Sequence, residues 1–354
     1  MDIFTILFYL SSALVASVAY SNKGPGTTQN ITEVLTGRCE EYRKCLLGEP
    51  CLPYYRRVNC ARVVDLFLGG VLNVDPCGTP PDAFDAFLNM VPPTTAHGTT
   101  MFWSGVAGAN IPQDIAQVTT AFTVLEETFP GYMAGNLSWC GATDGEESGP
   151  GLNFTVCPTW RSETCPNNTK AAFWDKASKM LANQAAGDVY VTLNAQREGG
   201  AFNNGSVFAR IESPNLNPDA VTNVAIYLIP DFTLQIPNEM YRETCTNGSV
   251  LYLRNRLMNM NFNVTCEEDP TEVMWLQCAR FPDSPYCDRY NNDGISSLFI
   301  FDREVMWLQC ARFPDSPYCD RYNGAGKTVA TLSFGVILLQ FASVISLSDW
   351  TLRS

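Results

Sequence analysis

The chain has 354 residues, a formal charge of −13, a pI near 4.6 and a single histidine. This acidic balance, with no basic cluster beyond Arg56-Arg57, argues against a nucleic-acid-binding surface. One histidine, His97, excludes a multi-histidine zinc site and leaves carboxylates as the natural carriers of any chemistry.

The chain begins with an apolar run over 3–18, closed by the small residues Ser17-Val18-Ala19. This is the pattern of an export signal over 1–20. Residues 21–36 are expected as a flexible lead-in. Fourteen irregularly spaced cysteines behind such a signal predict disulfides rather than metal ligands. Sequons at Asn30, Asn136, Asn153, Asn167, Asn204, Asn247 and Asn263 predict a glycosylated ectodomain.

Short helical patterns cover 60–72 and 82–90. Ile115, Val118, Phe122, Leu125 and Phe129 recur at three- and four-residue spacing. That spacing predicts a helix over 111–129, stopped by Pro130-Gly131. Glu126 and Glu127 stand at its end, within FTVLEETFPGYMAGNLSWCG. Such a pair reads first as two solvated glutamates on a helix rim. In a cleft it would raise one pKa or call for a cationic ligand. A second helix is predicted over 170–186, with Phe173, Trp174, Ala177, Met180 and Leu181 along one side. After Gly187 the apolar runs 189–193, 207–211 and 224–229 predict buried strands. The fold class is therefore α/β (α+β), with a helical N-terminal half and an α/β C-terminal half.

The segment EVMWLQCARFPDSPYCDRYN occurs at 272–291 and again, identically, at 304–323. The first copy is expected to pack in the fold. The second, with Cys310 and Cys319, is expected in a stalk over 292–323. A last apolar run spans 329–347, and only Arg353 follows as a basic residue. With the small residues Asn323-Gly324-Ala325-Gly326 ahead of it, this predicts a GPI-attachment signal over 324–354 and attachment at Asn323. A membrane span is the alternative.

Trp103 in MFWSG, Trp174 in AFWDK and Glu212 in RIESPNL bring the right chemistry for a glycosyl transfer. Indole faces stack on a flat cationic ring. A carboxylate beside them stabilises an oxocarbenium-like centre. Nothing in the spacing brings the three together. Taken singly, each tryptophan reads as core and Glu212 as a strand-end carboxylate.

The motifs VNCARVVDLFLGG, FWSG, TVLEETFPGYMAGNLSWCG, CPTWRSETC, the FW at 173–174 and RIESPNLNP resemble together the ADP-ribosyl cyclase / cyclic ADP-ribose hydrolase family. The resemblance covers about 38–287. It implies a helical domain, a second domain with a small parallel sheet flanked by helices, disulfide staples and a cleft between the two. It implies a catalytic ectodomain over 37–291, with Glu212 as the catalytic glutamate. By the same resemblance Trp103 and Trp174 hold the two ends of NAD, and Glu126 contacts nicotinamide. Glu127 stands where an aspartate is usual. Ser104, Ser178 and Phe208 match positions near the ribose and phosphates.

The implied disulfides are Cys39–Cys60, Cys77–Cys165, Cys140–Cys157, Cys245–Cys266 and Cys278–Cys287, with Cys45–Cys51 and Cys310–Cys319 as extras. A further family disulfide is replaced by His97 and Gly187. Gly135 replaces an acidic residue, and Gly105 replaces an arginine. The expected function is an ecto-NAD glycohydrolase favouring hydrolysis over cyclisation. The alternatives are mainly a cyclase, or an inactive surface receptor of the same fold. The resemblance implies NAD as substrate, no cofactor and no metal. Together with the terminal signals it places the protein on the outer leaflet through a GPI anchor, and it admits a homodimer.

Overall fold

A computed structural model describes residues 23–44, 55–106, 112–113, 115–116, 121–143, 151–160, 162, 164–232, 234, 239–280 and 283–287. The elements run β1 (Lys23–Pro25), α1 (Ile31–Arg43), α2 (Cys60–Gly69), α3 (Asp85–Met90), β2 (Thr100–Ser104), α4 (Phe129–Ala134), β3 (Val156–Pro158) and α5 (Thr169–Gln184). They continue with β4 (Gly187–Asn194), β5 (Val221–Ile229), α6 (Gly248–Asn259), β6 (Val264–Glu268) and α7 (Thr271–Arg280).

Four strands form one parallel sheet in the order β2-β4-β5-β6. A parallel sheet needs cover on both faces, and its strands read as near-continuous apolar runs. That explains GDVYVTLN and VTNVAIYLI as β4 and β5. On one face Val189, Val191, Leu193, Val224, Ile226 and Leu228 join a large core with Phe173, Leu181, Phe208, Leu253 and Leu257. On the other, Met101 and Ile229 pack with Ile115, Phe122, Val273, Met274, Cys278 and Cys287. The first copy of the repeat therefore covers the second face of the sheet. Tyr286 from that copy bonds the Gln196 amide at the end of β4.

The helical half is held by aromatic rings. Phe67 on α2 meets Phe87, Trp139 and Phe173 edge-on, at centroid separations of 5.2, 5.1 and 5.8 Å. Phe173 belongs to α5, so this helix carries the aromatic core of one half to the sheet of the other. Asn168 starts α5 by accepting a bond from the Ala171 N–H at 3.0 Å.

Several expectations change. Residues 23–25 and 31–36 are not a loose lead-in: β1 pairs with β3, and α1 begins at Ile31. The helix expected over 111–129 does not run through to Phe129. Thr123 instead pairs with Thr100 beside β2, and Leu125–Glu127 is a short 3-10 turn. Pro130-Gly131 opens α4 rather than closing a helix, because proline lacks only a hydrogen that is unsatisfied at a helix start anyway. The run 207–211 is not a strand. Phe208–Glu212 is a π-helical turn, which leads into a further turn at Ser213–Asn215.

The described cysteines form Cys39–Cys60, Cys77–Cys165, Cys140–Cys157, Cys245–Cys266 and Cys278–Cys287, the same pairs that the resemblance implies. His97 and Gly187 are neighbours in space: a Cβ on Gly187 would stand 2.5 Å from His97 Cε1. Six sequon asparagines are exposed. Asn153 is the exception: it is 8% exposed, and its Oδ1 accepts from the Thr155 and Val156 N–H groups at 3.0 Å each. The pairs Cys45–Cys51 and Cys310–Cys319, the export signal, the second repeat copy and Asn323 lie outside the described residues.

Cys77–Cys165 closes the longest loop of the five, with a separation of 88 residues. Chain entropy gives it about 4–5 kcal/mol. Replacing both cysteines with serine is expected to lower the unfolding free energy of the 20–291 ectodomain by roughly that amount. Urea denaturation of the two proteins measures the difference.

Candidate active site

A cavity of about 690 Å³ opens between the helical half and the C-terminal end of β2. Ligands of open parallel sheets bind outside the carboxyl ends of the strands, and β2 ends here in Trp103 and Ser104. Gly105 follows at φ +67°, a left-handed turn that lets the chain leave the strand at once.

Glu126 comes from the 3-10 turn after the Thr123 pairing. Thr128 holds that turn by donating its hydroxyl to the Leu125 carbonyl at 2.6 Å. Gly131 packs so closely that a Cβ on it would lie 1.9 Å from the same carbonyl oxygen. Trp103 Nε1 donates to Glu126 Oε2 at 3.5 Å, which joins β2 to the turn. Glu127 lines the cavity too, and its carbonyl accepts from Tyr42.

Trp174 and Ser178 are four residues apart on α5, so they share one face of the helix, and that face lines the cavity. Glu212 arrives at the end of the π-helical turn, and its side chain is almost fully buried. The Ser178 hydroxyl bonds this carboxyl. Its Oε2 has no partner, and neither do Ser104 Oγ nor Gln113 Oε1, two other buried atoms of the lining. Buried polar atoms are nearly always paired, so three orphans on one cavity wall mark where a polar ligand bonds.

Burial raises the pKa of both acids. For Glu126 desolvation outweighs the backbone hydrogen bond and the Trp103 hydrogen bond, which act the other way. For Glu212 desolvation pushes the pKa up to about 8, with added repulsion from Glu126 and Asp175 against the lowering effect of Ser178. Two coupled acids beside two indoles favour a flat cation, which would supply the missing counter-charge.

The structure thus gathers Trp103, Ser104, Glu126, Glu127, Trp174, Ser178 and Glu212 around one cavity. Phe208 is the exception. It is fully buried against Phe102 and Phe202, below the cavity rather than in its wall, because it stands one helical turn before Glu212. Its part is to support the turn. The lining also includes Arg38, Tyr132, Trp160 and Arg197, which sequence reasoning did not single out. Trp160 lies inside the quoted motif CPTWRSETC, and that was the one available signal for it. Arg38 braces α4: its Nη1 donates to the carbonyls of Tyr132, Met133 and Gly135 at 2.9, 3.2 and 2.5 Å.

The ADP-ribosyl cyclase family model matches residues 28–287. The chain is 31% identical over 265 residues to the human ADP-ribosyl cyclase/cyclic ADP-ribose hydrolase 2, covering 75% of this chain and 77% of that one. It is 30% identical over 261 residues to the ADP-ribosyl cyclase/cyclic ADP-ribose hydrolase of Aplysia californica, covering 73% and 87%. Among solved structures, Aplysia cyclase complexed with substrate NGD and product cGDPR matches with a TM-score of 0.64 at 28% identity, over 75% and 98% of the two chains. A structure of CD38 described as evidence for a covalent enzyme-substrate complex matches with a TM-score of 0.60 at 30% identity, over 72% and 97%. The chain belongs to the ADP-ribosyl cyclase family of enzymes.

The raised pKa of Glu212 has a consequence for stability. The folded state binds its proton more tightly than the unfolded state does. The resulting stabilisation is fully present below pH about 4.5 and is lost as pH rises through about 8. Glu212→Gln removes this dependence. The variant is expected to gain on the wild type by roughly 1 kcal/mol per pH unit across that window, with the gain levelling off above it. Denaturant titrations at pH 5, 7 and 9 read this directly. A difference that does not change with pH would mean that Glu212 titrates normally.

Proposed function

We propose that this protein is an ecto-NAD glycohydrolase that cleaves the nicotinamide–ribose bond to give nicotinamide and ADP-ribose. The observation that carries this reading is the buried, half-unpaired Glu212 carboxyl in a cavity it shares with Glu126 and two indoles. The pyridinium of NAD is already a cationic leaving group. When the C–N bond breaks, its electron pair goes to the nicotinamide nitrogen and positive charge develops on the ribosyl carbon. A carboxylate fixed beside that carbon stabilises it without reorganising at the moment of reaction. Water then attacks, and its proton leaves to solvent. Glu126 and Trp103, linked by their hydrogen bond, hold the nicotinamide ring. The reaction runs on these residues and water, without a cofactor.

The preference for hydrolysis over cyclisation rests on two departures from the family pattern, Glu127 for an aspartate and Gly105 for an arginine. Cyclisation needs the adenine end folded back onto the ribosyl carbon, and these changes alter the groups that would hold it there. The proposed location is the outer face of the plasma membrane, through a GPI anchor, with the export signal and six exposed sequons in support. No described helix is long and apolar enough to cross a membrane.

Incubating the 20–291 ectodomain with NAD and separating the products tests the reading. Nicotinamide with ADP-ribose is the expected result. A dominant cyclic product would overturn the hydrolytic preference and keep the site. Intact NAD with folded protein would overturn the activity. Glu212→Gln is expected to lower turnover on the order of 10²–10³-fold.

The pH dependence follows from the burial of Glu212. Its ionised form acts on the substrate, so kcat/KM is expected to rise with pH towards about 8 and then level off. The bound pyridinium favours the carboxylate, so the corresponding limb of kcat is expected at lower pH. Initial rates at saturating and at low NAD from pH 5 to 9.5 separate the two limbs.

A further inference from the structure

We propose that Arg197 is the residue that recognises the substrate's diphosphate, with Gly105 as the space that admits it. This rests on the dinucleotide reading of the cavity. Among the described residues of the lining only Arg38 and Arg197 are cationic. Arg38 turns its guanidinium to three carbonyls at the end of α4 and to the face of Tyr132. Arg197 comes from the other side, out of the turn that follows β4.

That turn is fixed at each step. The Ala195 N–H donates to the Ile229 carbonyl at 2.8 Å, and the Glu243 N–H donates to the Ala195 carbonyl at 2.8 Å. Gln196 receives the Asp231 N–H on its Oε1 and donates its own N–H to Asn194 Oδ1, at 2.9 Å each. The Arg197 carbonyl accepts from the Gly200 N–H at 3.0 Å. The backbone therefore holds Arg197 at the carboxyl ends of β2, β4 and β5.

Its side chain lies directly over Gly105. A Cβ on Gly105 would stand 2.7 Å from Arg197 Cδ and 2.8 Å from Nη1, closer than real Cβ contacts come. Gly105 is at φ +67°, so both the space and the backbone there exclude a side chain. Next to it is Ser104, 4% exposed, whose Oγ lacks a partner. A guanidinium lining the same cavity as a buried, unpartnered hydroxyl donor is suited to the oxygens of a diphosphate, which a planar fork engages in pairs. In a chain of net charge −13 a dianionic group needs such a local cation.

Binding is measured in the Glu212→Gln background, where turnover does not interfere, with NAD, ADP-ribose and nicotinamide riboside as probes. Arg197→Ala is expected to weaken NAD and ADP-ribose by roughly 10- to 100-fold and nicotinamide riboside, which carries no phosphate, by less than about twofold. Arg197→Lys is expected to recover part of the loss. Gly105→Ala, which displaces the guanidinium, is expected to reproduce the Arg197→Ala pattern. In the active protein Arg197→Ala is expected to raise KM more than it lowers kcat. Equal weakening of all three probes would make Arg197 merely structural and overturn the assignment. So would NAD binding that Arg197→Ala leaves unmoved. Failure of NAD and ADP-ribose to bind when Arg197 is intact would overturn the dinucleotide reading and this assignment with it.

Discussion

The structure depends on keeping a carboxyl group dry. Glu212 sits where the large core meets the cavity, at the end of a turn anchored in that core by Phe208 and Ala209, and the charged groups that act on it, Glu126 and Asp175, are acids. Charging a buried carboxyl without a partner costs several kcal/mol, so in the empty site it holds its proton well above the usual carboxylate range. Glu126, buried and coupled to it, adds to that cost. The fold bears this strain because it is stapled elsewhere, by the five disulfides among the described residues and by the aromatic cluster around Phe67 and Phe173. A cationic ligand relieves it. Binding of such a ligand and ionisation of Glu212 would therefore be coupled.

What could be read from the chain follows its physical regularity. α5 announces itself by period and by Asn168 ahead of it. β4 and β5 announce themselves as apolar runs because both faces of a parallel sheet are buried. The run 207–211 looked the same for the same reason, since a short apolar run does not distinguish a buried strand from a buried helical turn. β6, VTCEE, gives no apolar run because it is an edge strand and carries charges. In sequence, Pro130-Gly131 suits a stop as well as a start, because its local chemistry fits either end of a helix. The contact of Gly131 with the Leu125 carbonyl, which decides the matter, is tertiary.

The site was legible through family motifs rather than through spacing. Its wall is drawn from α1, β2, the 125–127 turn, α4, the loop before α5, α5, the turn after β4 and the π-helical turn. No periodicity links Arg38 to Arg197 across that distance in sequence. Phe208 shows the converse: the resemblance sets it near the ribose and phosphates, while the π-helical turn directs its ring into the core with Phe102 and Phe202.

The repeated segment clarifies what the sheet requires. Its first copy supplies Val273, Met274, Cys278 and Cys287 to the second face and closes its own loop through Cys278–Cys287. Without this cover β4 and β5 would expose Tyr190 and Tyr227, and the Gln196 side chain would lose Tyr286. Gln196 immediately precedes Arg197, and its own bond to the Asp231 N–H helps to fix the turn. The packing of a segment some ninety residues downstream thus reaches the cavity through one hydrogen bond. A mutation in the first repeat copy can therefore alter how a ligand is held without touching it, through the turn after β4.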